Sequence, residues 1–255
     1  MSSDSQLSFF GRVIPERADV KVSEISLQHR SQWGDYRMNI FIHGSQILVD
    51  VPVEDVDEVE NIHTLRNLVQ SAVSSLTDFL AFLEGLYVSV EIISVIDTEG
   101  RKRVFGVKYS PVAKKVDSQD KRDELLTKVV RAYQTEASPY LQRAFTDYRL
   151  AMNHAEDTGF YCFRAVESIR QFFYDGNKDK SWKKLREALD VERETIEDRI
   201  QKYSKRRRHG DLDSLTAEER NQIIVTTWDI LESFIEYASS ELDDLYSETD
   251  TAQEN

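Results

Sequence analysis

Apolar residues in this 255-residue chain recur at two different periods, and the change from one to the other is the strongest constraint on its fold. In the first half they alternate. Tyr36, Met38, Ile40 and Ile42 are interleaved with Arg37, Asn39, Phe41 and His43, which places one set on each face of a strand. Val20, Val22, Ile25 and Leu27 open an earlier strand, and Ile47–Val53 is rich in β-branched residues. Residues 1–19 are expected to be a loose lead-in. From about Asn61 to Glu84 the spacing becomes three and four, with Leu65, Leu68, Val69, Ala72, Val73, Leu76, Phe79, Leu80 and Leu83 in one broad stripe. Strands at Tyr87–Ile96 and Arg103–Tyr109 flank the turn Asp97-Thr98-Glu99-Gly100. An antiparallel sheet with this one long helix on a face would bury both apolar surfaces.

Residues 111–122 are charged and polar and are expected to link residues 20–110 to a second domain. Beyond them the period is helical throughout, over about Lys121–Ala137, Pro139–Thr158, Phe160–Tyr174, Trp182–Leu189, Glu192–Arg208 and Ala217–Tyr246. Thr216 and Glu219 have the spacing of a capping box for the last of these. The expected architecture is α+β, with an N-terminal α+β domain and an all-helical bundle over residues 123–246. The stripe of the last helix includes Trp228, Phe234 and Ile235, more apolar surface than a small bundle covers, which points to a homodimer. Residues 247–255 are expected to be a frayed acidic tail, since Glu241–Asn255 holds six acids and no Lys or Arg.

The formal net charge is −13, which argues against nonspecific nucleic-acid binding over the whole surface but leaves room for a local basic site. A single cysteine, Cys162, excludes an intrachain disulfide and a cysteine-cluster metal site. It lies among Phe160, Tyr161 and Phe163, where an inert buried thiol is expected. His29, His43, His63 and His154 have no spacing suited to a metal or a triad, so no metal and no cofactor are expected. The acidic stretch Asp50, Glu54, Asp55, Asp57, Glu58 and Glu60 reads as a solvated loop or a docking site for a basic partner. No run of apolar residues is long enough to cross a membrane, and the polar start lacks the pattern of a signal peptide. A cytoplasmic protein is expected.

One run stands out against the acidic background: Lys205-Arg206-Arg207-Arg208-His209-Gly210, at the end of a helix. Cations are favoured there because free carbonyls carry partial negative charge, and Gly210 would stop the helix. The alternative reading of the same run is a phosphate-binding site, with His209 expected to exchange a proton near neutral pH. Arg164 and Glu167, three residues apart on an earlier helix, are expected to pair with each other or with Arg170, or else Glu167 reaches a basic residue across the bundle.

The order of these parts resembles the HEPN superfamily of helical bundles over about Asp120–Tyr246. The likeness rests on the helix Phe160-Tyr161-Cys162-Phe163-Arg164-Ala165-Val166-Glu167-Ser168-Ile169, a connection with Trp182 and Leu185, a helix ending in Arg-Arg-Arg-His-Gly, and a capped apolar helix after it. Active members are metal-independent endoribonucleases whose Arg and His motifs meet at a dimer interface. Other members bind RNA or dimerise without catalysis, and many bacterial ones serve in toxin or phage-defence systems. The family arginine stands five to seven residues before the histidine. Here Lys202, Tyr203 and Ser204 hold those places, and lysine lacks the bidentate fork of arginine. The resemblance therefore implies either a non-catalytic RNA-binding or dimerisation protein, whose N-terminal domain recruits a protein partner, or a ribonuclease. In the second case His209, Arg206 and Lys202 would be catalytic, Lys205, Arg207 and Arg208 would hold RNA, and Glu167 and Arg164 would support them.

Overall fold

The computed structural model describes residues 5–31, 34–53, 62–209 and 215–253, with side chains described up to residue 240 and omitted at 30 and 31. The chain divides into two compact units, Met1–Val107 and Lys108–Asn255. It is an α+β protein, with a six-stranded antiparallel sheet in the first unit and helices in the second.

The sheet comprises β1 (Ser5–Ile14), β2 (Val22–Ser31), β3 (Gly34–His43), β4 (Gln46–Val53), β5 (Ser89–Asp97) and β6 (Lys102–Val104), in the order β2-β3-β4-β1-β5-β6. The expected lead-in at residues 1–19 is thus corrected: Ser5–Ile14 is an inner strand, paired with β4 on one side and β5 on the other. Leu7, Phe9 and Val13 alternate along it and are buried. This is the same period of two that marks β3. They share a face with Met38, Ile40, Ile42, Val49 and Val51, and α1 (Ile62–Glu84) contributes Leu65, Leu68, Val69, Ala72 and Val73 to the same core. The stripe expected on α1 is not buried to its end. Phe79, Phe82 and Leu83 are exposed. Of the acidic stretch, Glu54 to Glu60 lies outside the described residues.

In the second unit, the expected linker at 111–122 is instead part of the fold. α2 (Ser110–Ala113) and the start of α3 (Gln119–Ala132) fall within it, and the Ser118 hydroxyl caps α3 by accepting from the Lys121 N–H. Lys115 pairs with Asp229 of the last helix at 2.5 Å, while Tyr109 and Val112 pack on the helical core. The remaining helices are α4 (Ser138–Asn153), α5 (Thr158–Phe172), α6 (Lys178–Leu189), α7 (Arg193–Ile196), α8 (Lys202–Arg208) and α9 (Ala217–Gln253). A π-helical turn, Glu197–Gln201, joins α7 to α8 without a break. Helix α9 runs past the expected end at Tyr246 to Gln253, and no Gly or Pro interrupts that stretch. The capping box at its start forms as expected: Glu219 accepts from the Thr216 N–H at 2.9 Å, and the Thr216 hydroxyl accepts from the Glu219 N–H at 3.1 Å.

The apolar stripe of α9 turns inward. Phe234 and Ile235 are buried within the chain and Trp228 is half-buried, so they do not supply the unpartnered surface from which a dimer was inferred. Among the described residues, the large apolar side chains that remain exposed in this unit are elsewhere, at Tyr174 after α5 and along α3 and its C-cap. Leu126, Val130 and Tyr133 lie on one face there, while Leu125 and Val129 face the core.

Candidate nucleic-acid interface

The basic run sits at the carboxyl end of α8, and a close helix contact fixes its position. Tyr203 and Ser204 are buried, and their backbone presses on Gly159 near the start of α5. A Cβ at Gly159 would stand 2.7 Å from the Tyr203 Cβ and 3.1 Å from its carbonyl carbon, so only glycine lets the two helices approach this far. From this contact the chain runs outward. Lys202, Lys205, Arg206, Arg208 and His209 are exposed, and the His209 N–H closes the helix on the carbonyls of Lys205 and Arg206 at 3.2 and 3.1 Å. Gly210, expected to stop the helix, lies outside the described residues.

The cations are not equivalent. Arg207 turns back to the residues that lead into α5, where its Nε donates to Asp157, the N-cap, at 2.7 Å and its Nη2 to Glu156 at 3.1 Å. It is a tether between α8 and α5 and is largely spoken for by carboxylates, unlike its expected role on RNA. Arg206 lies near enough to Glu219 to help hold that carboxyl below its ordinary value, although the main cause is the Thr216 N–H. The Lys202 ammonium rests 4.7 Å from the centre of the Tyr203 ring. Of the three positions where the HEPN resemblance would place an arginine, Tyr203 and Ser204 are in the core and only Lys202 reaches solvent. Among the described residues no hydrogen bond orients the His209 ring.

The expected pairing of Arg164 with Glu167 does not form. Glu167 is half-buried and has no ion pair among the described residues. Arg164 reaches instead to α4, donating from Nε to Asp147 at 2.9 Å and from Nη2 to the second oxygen of the same carboxylate. This bond, more than any other influence, raises the Arg164 guanidinium above its ordinary value. Arg143 approaches the same carboxylate at 3.3 Å. Arg170 is buried and donates to Ser181 at 2.7 Å and to Gln171 at 2.8 Å. Sequence reasoning missed Asp147. Its signal was an acid inside the stripe Leu141, Ala144, Tyr148 and Ala151, where a charge needs a partner.

Arg220, also missed, organises the corner behind the basic run. Its Nη2 donates to the Met152 carbonyl at 2.7 Å, at the end of α4, and its Nε to the Thr158 hydroxyl at 3.0 Å. Burial lowers this guanidinium below its ordinary value. A cation there satisfies carbonyls that α4 leaves free. Cys162 is fully buried, and burial pushes its thiol up to about 12, so it is inert as expected. Among the described residues no group of His, Cys, Asp and Glu could hold a metal ion, and no helix is long and apolar enough to cross a membrane.

The molecule is thus an α+β protein whose helical unit presents a basic helix end, tethered by acids at the entry to a neighbouring helix. Both of its halves match one family, described as a domain of unknown function (DUF8168): the N-terminal domain over residues 7–105 and the C-terminal domain over residues 126–239. No curated protein and no solved structure matches the chain.

Proposed function

We propose that the helical unit is a HEPN-like bundle that binds the phosphate backbone of RNA at the carboxyl end of α8. The observation that carries this reading is the exposure of Lys202, Lys205, Arg206, Arg208 and His209 together at one helix end of a chain whose net charge is −13. Such a local field attracts phosphate, although the protein as a whole repels it. Binding without catalysis is favoured, because the only exposed position at the family arginine spacing is Lys202 and nothing among the described residues orients His209. Self-association belongs to the same proposal, with the exposed face of α3, Leu126, Val130 and Tyr133, in the place first given to α9. A cytoplasmic role in a bacterial defence or toxin system, with the N-terminal unit recruiting a protein partner, extends the resemblance.

The alternative is a metal-independent endoribonuclease in which His209 exchanges the proton while Lys202, Arg206 and Arg208 hold phosphate. Purified protein incubated with cellular RNA, with and without EDTA, separates the two. Binding should weaken linearly on a log–log salt plot. Replacing Arg206 and Arg208 together by Ala should flatten that slope, and equal affinity and slope in wild type and double variant would defeat the binding reading. Cleavage that survives EDTA and disappears in His209→Ala would establish the nuclease.

A further inference from the structure

We propose that the surface shared by α4 and α5 is a stacking platform for unpaired bases, so that the RNA bound at the end of α8 is single-stranded. This rests on the RNA reading above and names the form of RNA. Asp157 is the N-cap of α5, and Tyr161 and Arg164, three residues apart, lie along one face of the helix that follows it. At one end of that face Asp157 holds Arg207 at 2.7 Å. At the other end, about 10 Å along the helix axis by the helical rise, stands Arg164. Arg207 is matched there by Asp157 and Glu156, so the positive charge of this track comes from Arg164 at one end and the exposed cations of α8 at the other.

Aromatic rings line the track. The Arg164 guanidinium carbon is 5.3 Å from the centre of the Phe160 ring and 5.0 Å from that of Tyr161. The two rings meet edge to face at 5.3 Å, and the His154 ring lies 5.7 Å from Tyr161. Asp147, with no exposure to solvent, fixes the plane of Arg164 through both of its carboxylate oxygens, and Arg143 leans on the same group. One buried negative charge therefore serves two cations, and the cluster keeps a net positive charge. Phe160 is half-buried, yet among the described residues it is neither in the helical core nor packed against it. A large ring that the core does not use, beside a rigid guanidinium, is what a base needs to stack upon. In a duplex the base faces are already stacked on one another, so only unpaired RNA can use it.

The full chain is tested against labelled oligouridine and against an RNA duplex of the same length. The single strand should bind about tenfold more tightly. Phe160→Ala should remove most of that preference and leave duplex affinity unchanged, while Phe160→Tyr should retain it. Arg164→Lys, which keeps the charge and loses the plane, should act as Phe160→Ala does, and it stands in should that variant fold poorly. Replacing Arg206 and Arg208 by Ala should lower affinity for both RNAs. Equal affinity of the wild type for the two RNAs, or a preference untouched by both Phe160→Ala and Arg164→Lys, overturns the platform and leaves the backbone-binding reading standing. Failure of the wild type to bind either RNA overturns both.

Discussion

Gly159 of α5 and Tyr203 of α8 meet so closely that a Cβ on the glycine would stand 2.7 Å from the Cβ of the tyrosine. The nearest atoms belong to Cβ and backbone, not to the far end of a flexible side chain, so neither helix yields without moving. Gly159→Ala should therefore destabilise the protein by about 1–3 kcal/mol, more than the few tenths to 1 kcal/mol that alanine gains in a helix. Thermal or urea unfolding checks this. Because the contact sets where α8 ends, the same variant should also weaken RNA binding.

Arg207 should separate from its neighbours in sequence. It holds Asp157 and Glu156, whereas Arg206 and Arg208 are exposed. Arg207→Ala is expected to cost about 1 kcal/mol of stability. Arg208→Ala should stay within about 0.5 kcal/mol of wild type and lower the salt slope of RNA binding by about 0.7. Urea titration and salt-dependent binding on the same preparations read both.

The start of α9 should titrate. The Thr216 N–H first, then the Thr216 hydroxyl and Tyr203, hold the Glu219 carboxyl below its ordinary value of 4.5. A carboxyl lowered by folding contributes stability above its unfolded value, and that contribution is lost as pH falls through the folded value. Wild type should thus exceed Glu219→Gln in stability at neutral pH, with the gap closing below about pH 4.5. Thr216→Ala should cost about 1 kcal/mol with little pH dependence above that range. Melting temperatures from pH 3 to pH 7 test the sign.

Cys162 should be silent in the folded protein. Its thiol is fully buried and pushed up to about 12, so almost no thiolate is present at pH 8. Alkylation by iodoacetamide should be slow until denaturant is added. Rapid labelling under native conditions would show that the α5 surface opens.

The sequence determined the parts that depend on neighbours along the chain. The alternation of β3, the three-and-four spacing of α1 and the Thr216–Glu219 cap are local patterns, and each appears where its residues predict it. β1 shows the same alternation in Leu7, Phe9 and Val13, but Gly11 leaves a gap in its apolar set. The basic run was equally plain. Tertiary structure alone decided how its members are used. No local rule pairs Arg207 with Asp157, fifty residues earlier, or Arg164 with Asp147 on the preceding helix. Charges at three or four residues suggest partners on the same helix, but a buried carboxylate outbids them, because a charge taken from water needs its counterion within hydrogen-bond reach. For the same reason the apolar stripe of α9 could be read from its spacing, while the fact that other helices of the same chain cover it could not.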